Sequence, residues 1–167
     1  AAEHHTFLHE HGATFVTLTQ QGGLRGCMGS LEPHRPLLDD VQANARAAAF
    51  RDPRFAPLCQ AELSITRVEV SLLSPMRPLR FANEIDALNQ LQPGIDGVVF
   101  EYAHFRSTFL PQVWEQLPDP KEFIAQLKAK AGLPENFWSE GVRLFRYTVS
   151  KFTETELHQR GEATRAT

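Results

Sequence analysis

The sequence predicts an α+β fold in which a mostly antiparallel β-sheet is flanked by helices. Strand-like segments occur in pairs, one pair around the Gly22-Gly23 turn and the other at residues 98–102 and 106–110, which is typical of antiparallel hairpins. The helical segments do not alternate regularly with strands, as they would in a parallel sheet. With 42% hydrophobic and 22% charged residues among its 167, the chain also has the composition of a globular domain.

The first half of the chain predicts a hairpin, a helix and a long strand. β-Branched and aromatic residues form the first strand, and Gly22-Gly23 permits the tight turn into the second. Apolar residues at helical spacing predict the helix, which Asp52-Pro53 ends. These elements are expected at residues 13–18, 24–28, 37–50 and 64–73.

The second half predicts a short helix, a second hairpin, a longer helix and a last strand. Asp119 is a good N-cap for the longer helix, and Gly132 suits its left-handed C-cap. The expected elements are residues 83–91, 98–102, 106–110, 121–131 and 143–152. We expect one domain over residues 13–154, an N-terminal remnant at 1–12 and a disordered tail at 155–167.

Charge and composition argue against several classes of function. The net charge of -3 and the pI near 6.2 disfavour nucleic-acid binding, which needs a concentrated basic face. No apolar run of about 18 residues and no secretory signal pattern is present, so we expect a cytoplasmic protein without membrane association. Cys27 and Cys59 form no C-x-x-C pair and are expected to be reduced thiols.

Histidines cluster near the start of the chain. They lack the H-E-x-x-H arrangement that makes zinc chemistry specific, so we expect neither a metal site nor another cofactor. The cluster consists of His4, His5, His9 and His11.

The hexapeptide Leu-Arg-Gly-Cys-Met-Gly, which begins at Leu24, contains the strongest candidates for reactive and ligand-binding residues. Strand alternation places Cys27 on one face with Arg25, whose guanidinium favours the nucleophilic thiolate. Gly26 and Gly29 let the backbone approach a ligand closely and offer N–H groups to an oxyanion. A ligand site is therefore expected at this segment.

Catalysis by the thiol needs a base, and His34 is the candidate for a Cys–His pair with Cys27. The alternative is structural, because cysteine is often a small buried apolar residue and glycines in a strand permit close backbone crossings. Both interpretations stay open, as does the question whether the chain is an enzyme.

Three further residues are candidates for ligand binding. Arg54 is placed to reach an anionic ligand, whereas helix capping accounts for Asp52. Glu69 lies on the polar face of its strand and is a candidate ion-pair partner of Arg25. Thr108 offers a hydroxyl, although packing of the second hairpin explains it equally well.

The hexapeptide resembles the Leu-Arg-Gly-Cys-Ile-Gly signature of the AMMECR family, with Met28 in place of the isoleucine. The same family, whose bacterial members are called AmmeMemoRadiSam system protein A, is similar to this chain over roughly residues 13–154. The matching segments are residues 46–55, 69–75, 94–97, 108–114 and 130–133, together with Trp138.

The resemblance implies an antiparallel sheet with helices and a smaller lobe, with the signature beside a cleft between the lobes. It implies a shortened N-terminal helix here and no established enzymatic activity. Memo-type and radical-SAM proteins are the pathway partners that it suggests.

Three hypotheses of function follow. The first is binding of a small molecule or nucleotide-like ligand in a cleft lined by residues 24–29, with the Cys27 thiol as a candidate participant. The second is a non-catalytic adaptor for the Memo-type and radical-SAM partners. The third, an RNA- or tRNA-interacting module, is disfavoured by the acidic net charge.

Overall fold

The computed structural model describes residues 3–154, so the tail predicted at 155–167 lies outside the described residues. The chain forms two compact units. The first contains the described residues up to Leu73 and those from Ser150, and the second is Ser74–Val149. Both sheets that the structure describes have four strands, and their helices and antiparallel strand pairs confirm the predicted α+β class.

The helices and strands closely follow the predicted order. In chain order they are β1 (Ala13–Gln20), β2 (Gly23–Gly29), α1 (Leu37–Phe50), β3 (Thr66–Leu73), β4 (Arg77–Pro78), α2 (Glu84–Gln90), β5 (Gly97–Tyr102), β6 (Phe105–Phe109), α3 (Pro120–Ala131), β7 (Arg143–Tyr147) and β8 (Val149–Thr153). Short 3₁₀ helices occur at Glu3–His9, Gln60–Ile65 and Pro111–Glu115.

The first sheet has the order β2-β1-β3-β8, and α1 packs on one of its faces. Gly26 of β2 lies so close to this helix that a Cβ there would overlap the carbonyl oxygen of Ala48. Small residues on the helix therefore bring it close to the sheet. The apolar contact consists of Val16, Leu18, Ala48 and Ala49, with Met28, Val41, Ala45, Leu58, Val68 and Val70 packed around them.

The second sheet has the order β4-β7-β5-β6 and supports a larger apolar core. Phe123 of α3 is fully buried, and its ring stacks on Trp114 with the centroids 3.7 Å apart. The buried members of this core are Leu79, Ala87, Leu91, Val98, Phe100, Trp114, Phe123, Ile124, Leu127, Val142 and Leu144.

The prediction of one long strand over residues 143–152 is wrong, because the segment is two strands in two different sheets. β7 pairs with β4 and β5, whereas β8 belongs to the first sheet. The break falls at Thr148, whose N–H donates to the hydroxyl of Ser74 at 2.8 Å. By contrast, the helix at 37–50 and the left-handed C-cap at Gly132, with φ 95°, are confirmed.

Candidate functional site

β2, which carries the hexapeptide, lies at an edge of the first sheet. Its pairing with β1 contains a bulge, since Leu18 is opposite Gly26 whereas Thr19 is opposite Leu24. Arg25 is therefore the extra residue of the bulge. The bulge interrupts the regular alternation from which Arg25 and Cys27 were predicted to share a face.

The segment after α1 covers the edge of β2 through the carboxylate of Asp52. The N–H of Cys27 donates to Asp52 Oδ2 at 3.0 Å, and Arg54 Nη2 donates to the same oxygen at 2.7 Å. Arg54 Nε and N–H donate to Oδ1 at 3.0 and 3.1 Å. The hydrogen bonds from Arg54, against the opposing effect of burial, hold the pKa of Asp52 well below its ordinary value. Asp52 thus links the signature strand to Arg54, which is more than the helix cap predicted for it.

Arg25 pairs with Glu62, not with the predicted Glu69. Its Nε donates to Glu62 Oε1 at 2.9 Å and its Nη2 to Oε2 at 3.2 Å, which is a bidentate ion pair. Nη2 also donates to the carbonyl oxygen of Ala56 at 2.8 Å. The hydrogen bond from Arg25, helped by the N–H of Cys59, lowers the pKa of Glu62 to about 2.

One donor of Arg25 is not used in this arrangement. Nη1 is buried and has no hydrogen-bond partner among the described residues, although the side chain as a whole is 11% exposed. The guanidinium lies over the ring of Phe55, with its central carbon 5.8 Å from the ring centroid, and Arg54 approaches the same ring at 5.6 Å.

Cys27 is half-buried, and its Sγ lies 3.4 Å from the hydroxyl oxygen of Thr17. Cys59 is exposed, and both cysteines are free. His34 is not brought to the thiol: it is exposed, and its Nδ1 lies 2.9 Å from the carbonyl oxygen of Glu32. Within residues 3–154, no hydrogen bond joins a histidine to Cys27.

Packing accounts for both glycines that were predicted to contact a ligand. A side chain at Gly26 has no room against Ala48 of α1, and a Cβ at Gly29 would overlap the ring of Phe15. Their lack of a side chain is therefore required by the sheet itself. Neither glycine needs a ligand to explain it.

The remaining candidates lie apart from the Asp52 and Glu62 contacts. Glu69 is opposite Thr17 in the register of β1 and β3, so Thr17 stands between it and Cys27, and its carboxylate lies 3.8 Å from Lys151 Nζ. Thr108 belongs to the second unit, where its hydroxyl donates to the carbonyl oxygen of Val98 at 2.9 Å. The structure thus brings together Arg25, Cys27 and Arg54 of the predicted set.

Glu62 was not among the predicted site residues. Glu62 closes a capping box in which its carboxylate accepts the N–H of Cys59 and the Cys59 side chain accepts the N–H of Glu62. The usual sequence signal for this motif has serine or threonine at the first position and glutamate three residues later. Here cysteine takes the first position, so the capping box does not match the usual sequence pattern.

Metal clusters and membrane-spanning helices are both absent from the part of the chain that the structure describes. No group of three or more His, Cys, Asp or Glu residues at 3–154 is arranged to hold a metal ion. Within the same residues, no helix has the length and apolar character required to traverse a bilayer.

The fold and the signature strand define the class: a two-sheet α+β protein whose hexapeptide Leu24–Gly29 forms an edge strand tied down by Asp52 and Glu62. The family model AMMECR1 matches residues 1–152. The chain therefore belongs to the AMMECR1 family.

Relatives and a solved structure agree with this assignment. The chain is 39% identical to Protein MJ0810 of Methanocaldococcus jannaschii over 141 residues, which covers 83% of this chain and 69% of the relative. It is 38% identical to a protein of Thermotoga maritima over 140 residues, covering 83% and 75% respectively. The crystal structure of the uncharacterized protein PH0010 from Pyrococcus horikoshii superposes with a TM-score of 0.80 at 33% identity, covering 89% of this chain and 76% of that one.

Proposed function

We propose that the chain binds a small polar ligand beside β2, with Arg25 as the donor that recognises it. The observation that carries the proposal is the Nη1 atom of Arg25, which is buried and has no hydrogen-bond partner among the described residues. A buried donor left unpaired costs about 1–3 kcal/mol, so an acceptor that reaches Nη1 is favoured.

We place the route to this donor past Phe55, which lies against the guanidinium of Arg25, and past Arg54, which approaches the same ring. Phe55 lies under the guanidinium of Arg25, and the side chain of Arg54 is 56% exposed. A shift of these two side chains opens Nη1 to a ligand while the Arg25–Glu62 pair stays in place. The phosphate or carbonyl oxygen of a nucleotide-like molecule has the acceptor chemistry that a guanidinium donor suits.

We place the thiol of Cys27 beside this ligand, because the Cys27 N–H and Arg54 share one oxygen of Asp52, and we assign it no nucleophilic role. Its Sγ neighbours the hydroxyl of Thr17, and no histidine among the described residues is bonded to it. Activation by a general base requires a partner within hydrogen-bond reach, and a hydroxyl is too weak a base for that purpose.

Alkylation by iodoacetamide tests the proposal, because Cys59 is an internal reference within the same chain. Cys59 is exposed and Cys27 half-buried, so we expect Cys59 to react faster. Adenosine monophosphate is then added as a probe, with adenosine as the uncharged comparison. We expect the nucleotide to slow alkylation at Cys27 more than at Cys59, whose side chain forms the capping box with Glu62.

Two arginine variants make the test specific. Arg25→Gln removes the proposed donor. Arg67→Gln removes an exposed arginine of the same unit, whose one side-chain hydrogen bond to a described residue joins Nη1 to the carbonyl oxygen of Ser64 at 3.4 Å. Protection of Cys27 should disappear in the first variant and persist in the second. Equal protection in both variants excludes Arg25 as the donor, and Cys27 reacting faster than Cys59 contradicts the non-nucleophilic role.

An adaptor role for a Memo-type or radical-SAM partner is the second candidate, and one observation favours it. Leu24 and Leu63, which adjoin the paired Arg25 and Glu62 in sequence, are 45% and 60% exposed. Exposed apolar side chains beside a rigid ion pair suit protein docking. RNA binding needs several cationic side chains on one face, whereas Arg25 presents a single unpaired donor and Arg54 is paired with Asp52, so the RNA hypothesis gains no support.

A further inference from the structure

A pocket of about 290 Å³ lies in the second unit, and all its lining residues belong to that unit. Its size is at the lower end of small-molecule sites. The residues that decide its chemistry are Arg77, Arg146, Asp96, Ile95, Pro75 and Gln92. None of them takes part in the site beside β2.

Two arginines lie side by side in the lining of this pocket. Arg77 of β4 and Arg146 of β7 are direct partners in an antiparallel register, so their side chains lie on the same face of the sheet. Like charges in this position repel each other and destabilise the pairing. A negative charge close to the two guanidinium groups would reduce this repulsion.

The protein supplies only part of that negative charge. Arg146 Nη1 donates to the carbonyl oxygen of Gln90 at 3.1 Å and lies 3.8 Å from Asp96 Oδ2. The same Asp96 oxygen accepts the N–H of Gln92 at 2.8 Å, which holds the carboxylate in place. The side chain of Arg77, in contrast, has no hydrogen bond or ion pair with any residue in the described range.

The wall of the pocket also has an apolar side. Ile95 is 54% exposed. Its backbone is nevertheless held in a turn, because the Ile95 N–H donates to the carbonyl oxygen of Gln92 at 3.1 Å. Pro75 lines the same pocket. An exposed branched side chain on an ordered turn beside two arginines offers apolar contact to whatever the arginines hold.

We propose that this pocket binds a small organic anion, whose carboxylate or phosphate group is held between Arg77 and Arg146 and whose short apolar part packs against Ile95. One guanidinium is balanced by Asp96, so the ligand supplies about one negative charge to the other. The fork of donors on Arg77 suits an oxyanion with two oxygen atoms.

Titration of amide chemical shifts in the full, isotope-labelled chain tests the proposal at constant ionic strength. The probes are butyrate, its neutral amide butyramide, acetate and inorganic phosphate. We expect saturable shifts at the amides of Ile95, Gln92 and Thr148 with butyrate and not with butyramide. Acetate binding more weakly than butyrate supports the apolar contact, and phosphate binding more tightly than butyrate identifies phosphate as the preferred group.

Two variants of matched charge separate a site from general attraction. Arg77→Gln removes one guanidinium of the pocket, and Arg80→Gln removes an exposed arginine three positions along the chain that does not line it. We expect the dissociation constant for butyrate to rise about tenfold or more in the first variant and to stay unchanged in the second.

Three outcomes overturn the proposal: butyramide binding as well as butyrate, no saturable shift with any anion, or equal weakening in both variants. Because Arg77 is exposed, we expect Arg77→Gln to keep the fold of the parent chain. The dispersion of its amide chemical shifts checks this in the same spectra.

Discussion

The two units stabilise their helices against their sheets in different ways. In the second unit α3 brings large apolar side chains to β5, with Phe123 stacked on Trp114 and packed edge-on against Phe109. In the first unit α1 brings small residues and a polar network to β1 and β2. The stability of the second unit therefore depends mainly on burial of large apolar groups. The first unit also requires that its buried polar groups be hydrogen-bonded.

The polar network of the first unit centres on Asp40, which is fully buried. Its Oδ2 accepts the N–H and hydroxyl of Thr14 at 2.9 and 2.7 Å, and its Oδ1 accepts Arg35 Nε at 2.7 Å and the hydroxyl of Ser30 at 2.8 Å. Asn44, one turn later, donates to Asp40 and to the carbonyl oxygen of Thr14. The network thus fixes the position of α1 on the sheet by directional bonds.

The largest effect is expected from removing the aromatic stack of the second unit. Phe123→Ala deletes a fully buried ring, and such truncations cost about 3–5 kcal/mol in free energy of unfolding. Urea unfolding followed by tryptophan fluorescence measures it, because Trp114 and Trp138 both lie in this unit. Phe50→Ala, which removes a ring that is 56% exposed, should change stability by less than about 0.5 kcal/mol.

A similar loss in both phenylalanine variants would contradict the claim that the second core depends on this stack. A loss confined to Phe123→Ala, by contrast, assigns the stability of that unit to large-ring packing.

A smaller effect is expected from adding one methyl group where the first unit is most closely packed. Gly26→Ala places a Cβ against the carbonyl oxygen of Ala48, so α1 and β2 must move apart at a cost of about 1–3 kcal/mol. Gly23→Ala is the matched control on the same strand, since its Cβ would meet only the carbonyl oxygen of Gln20, at 3.4 Å.

Thermal unfolding of the two variants gives the comparison. We expect a lowered melting temperature for Gly26→Ala and little change for Gly23→Ala. If both variants melt like the parent chain, the close approach of α1 to β2 is not a constraint on stability.

Most of the fold could be predicted from periodicity and turn chemistry, whereas the contacts of the site could not. The helix at 37–50 has both an apolar face and a stop signal at Asp52-Pro53, and its bounds were predicted correctly. The break at Thr148 has no such local signal, because it arises where the chain passes from one sheet to another. Topology of this kind depends on distant residues that a local pattern does not contain.

The ion pairs show the same limit. Regular strand alternation made Glu69 a candidate ion-pair partner of Arg25, but the bulge at Arg25 and the 3₁₀ helix at Gln60–Ile65 give it Glu62. A usable signal did exist for the buried network, since Asp40 and Asn44 interrupt the apolar face of α1 one turn apart. Two polar residues at that spacing on a buried helix face indicate a shared buried partner.

The mildest test changes only the pH and asks whether the two units differ in acid sensitivity. Among residues 3–154, the carboxyl groups with clearly lowered pKa values are Asp40, Asp52 and Glu62, and all three belong to the first unit. Burial alone would raise the pKa of Asp40, but the hydrogen bonds from Thr14, Arg35 and Ser30 together outweigh it and lower the pKa.

A carboxyl group whose pKa is lower in the folded chain binds protons more readily after unfolding. Its contribution to the free energy of unfolding is therefore complete above the unfolded pKa of about 4. The contribution of Glu62 is lost as the pH falls from there towards about 2. Amide hydrogen exchange at pH 3 and pH 6, corrected for intrinsic rates, compares Val16 and Leu18 of the first core with Val98 and Phe100 of the second. We expect protection in the first pair to fall at pH 3 while the second pair retains more of its own. Equal losses in both pairs would mean that the paired carboxylates do not set the acid stability of the first unit, and its stability would then rest on the same apolar burial as that of the second.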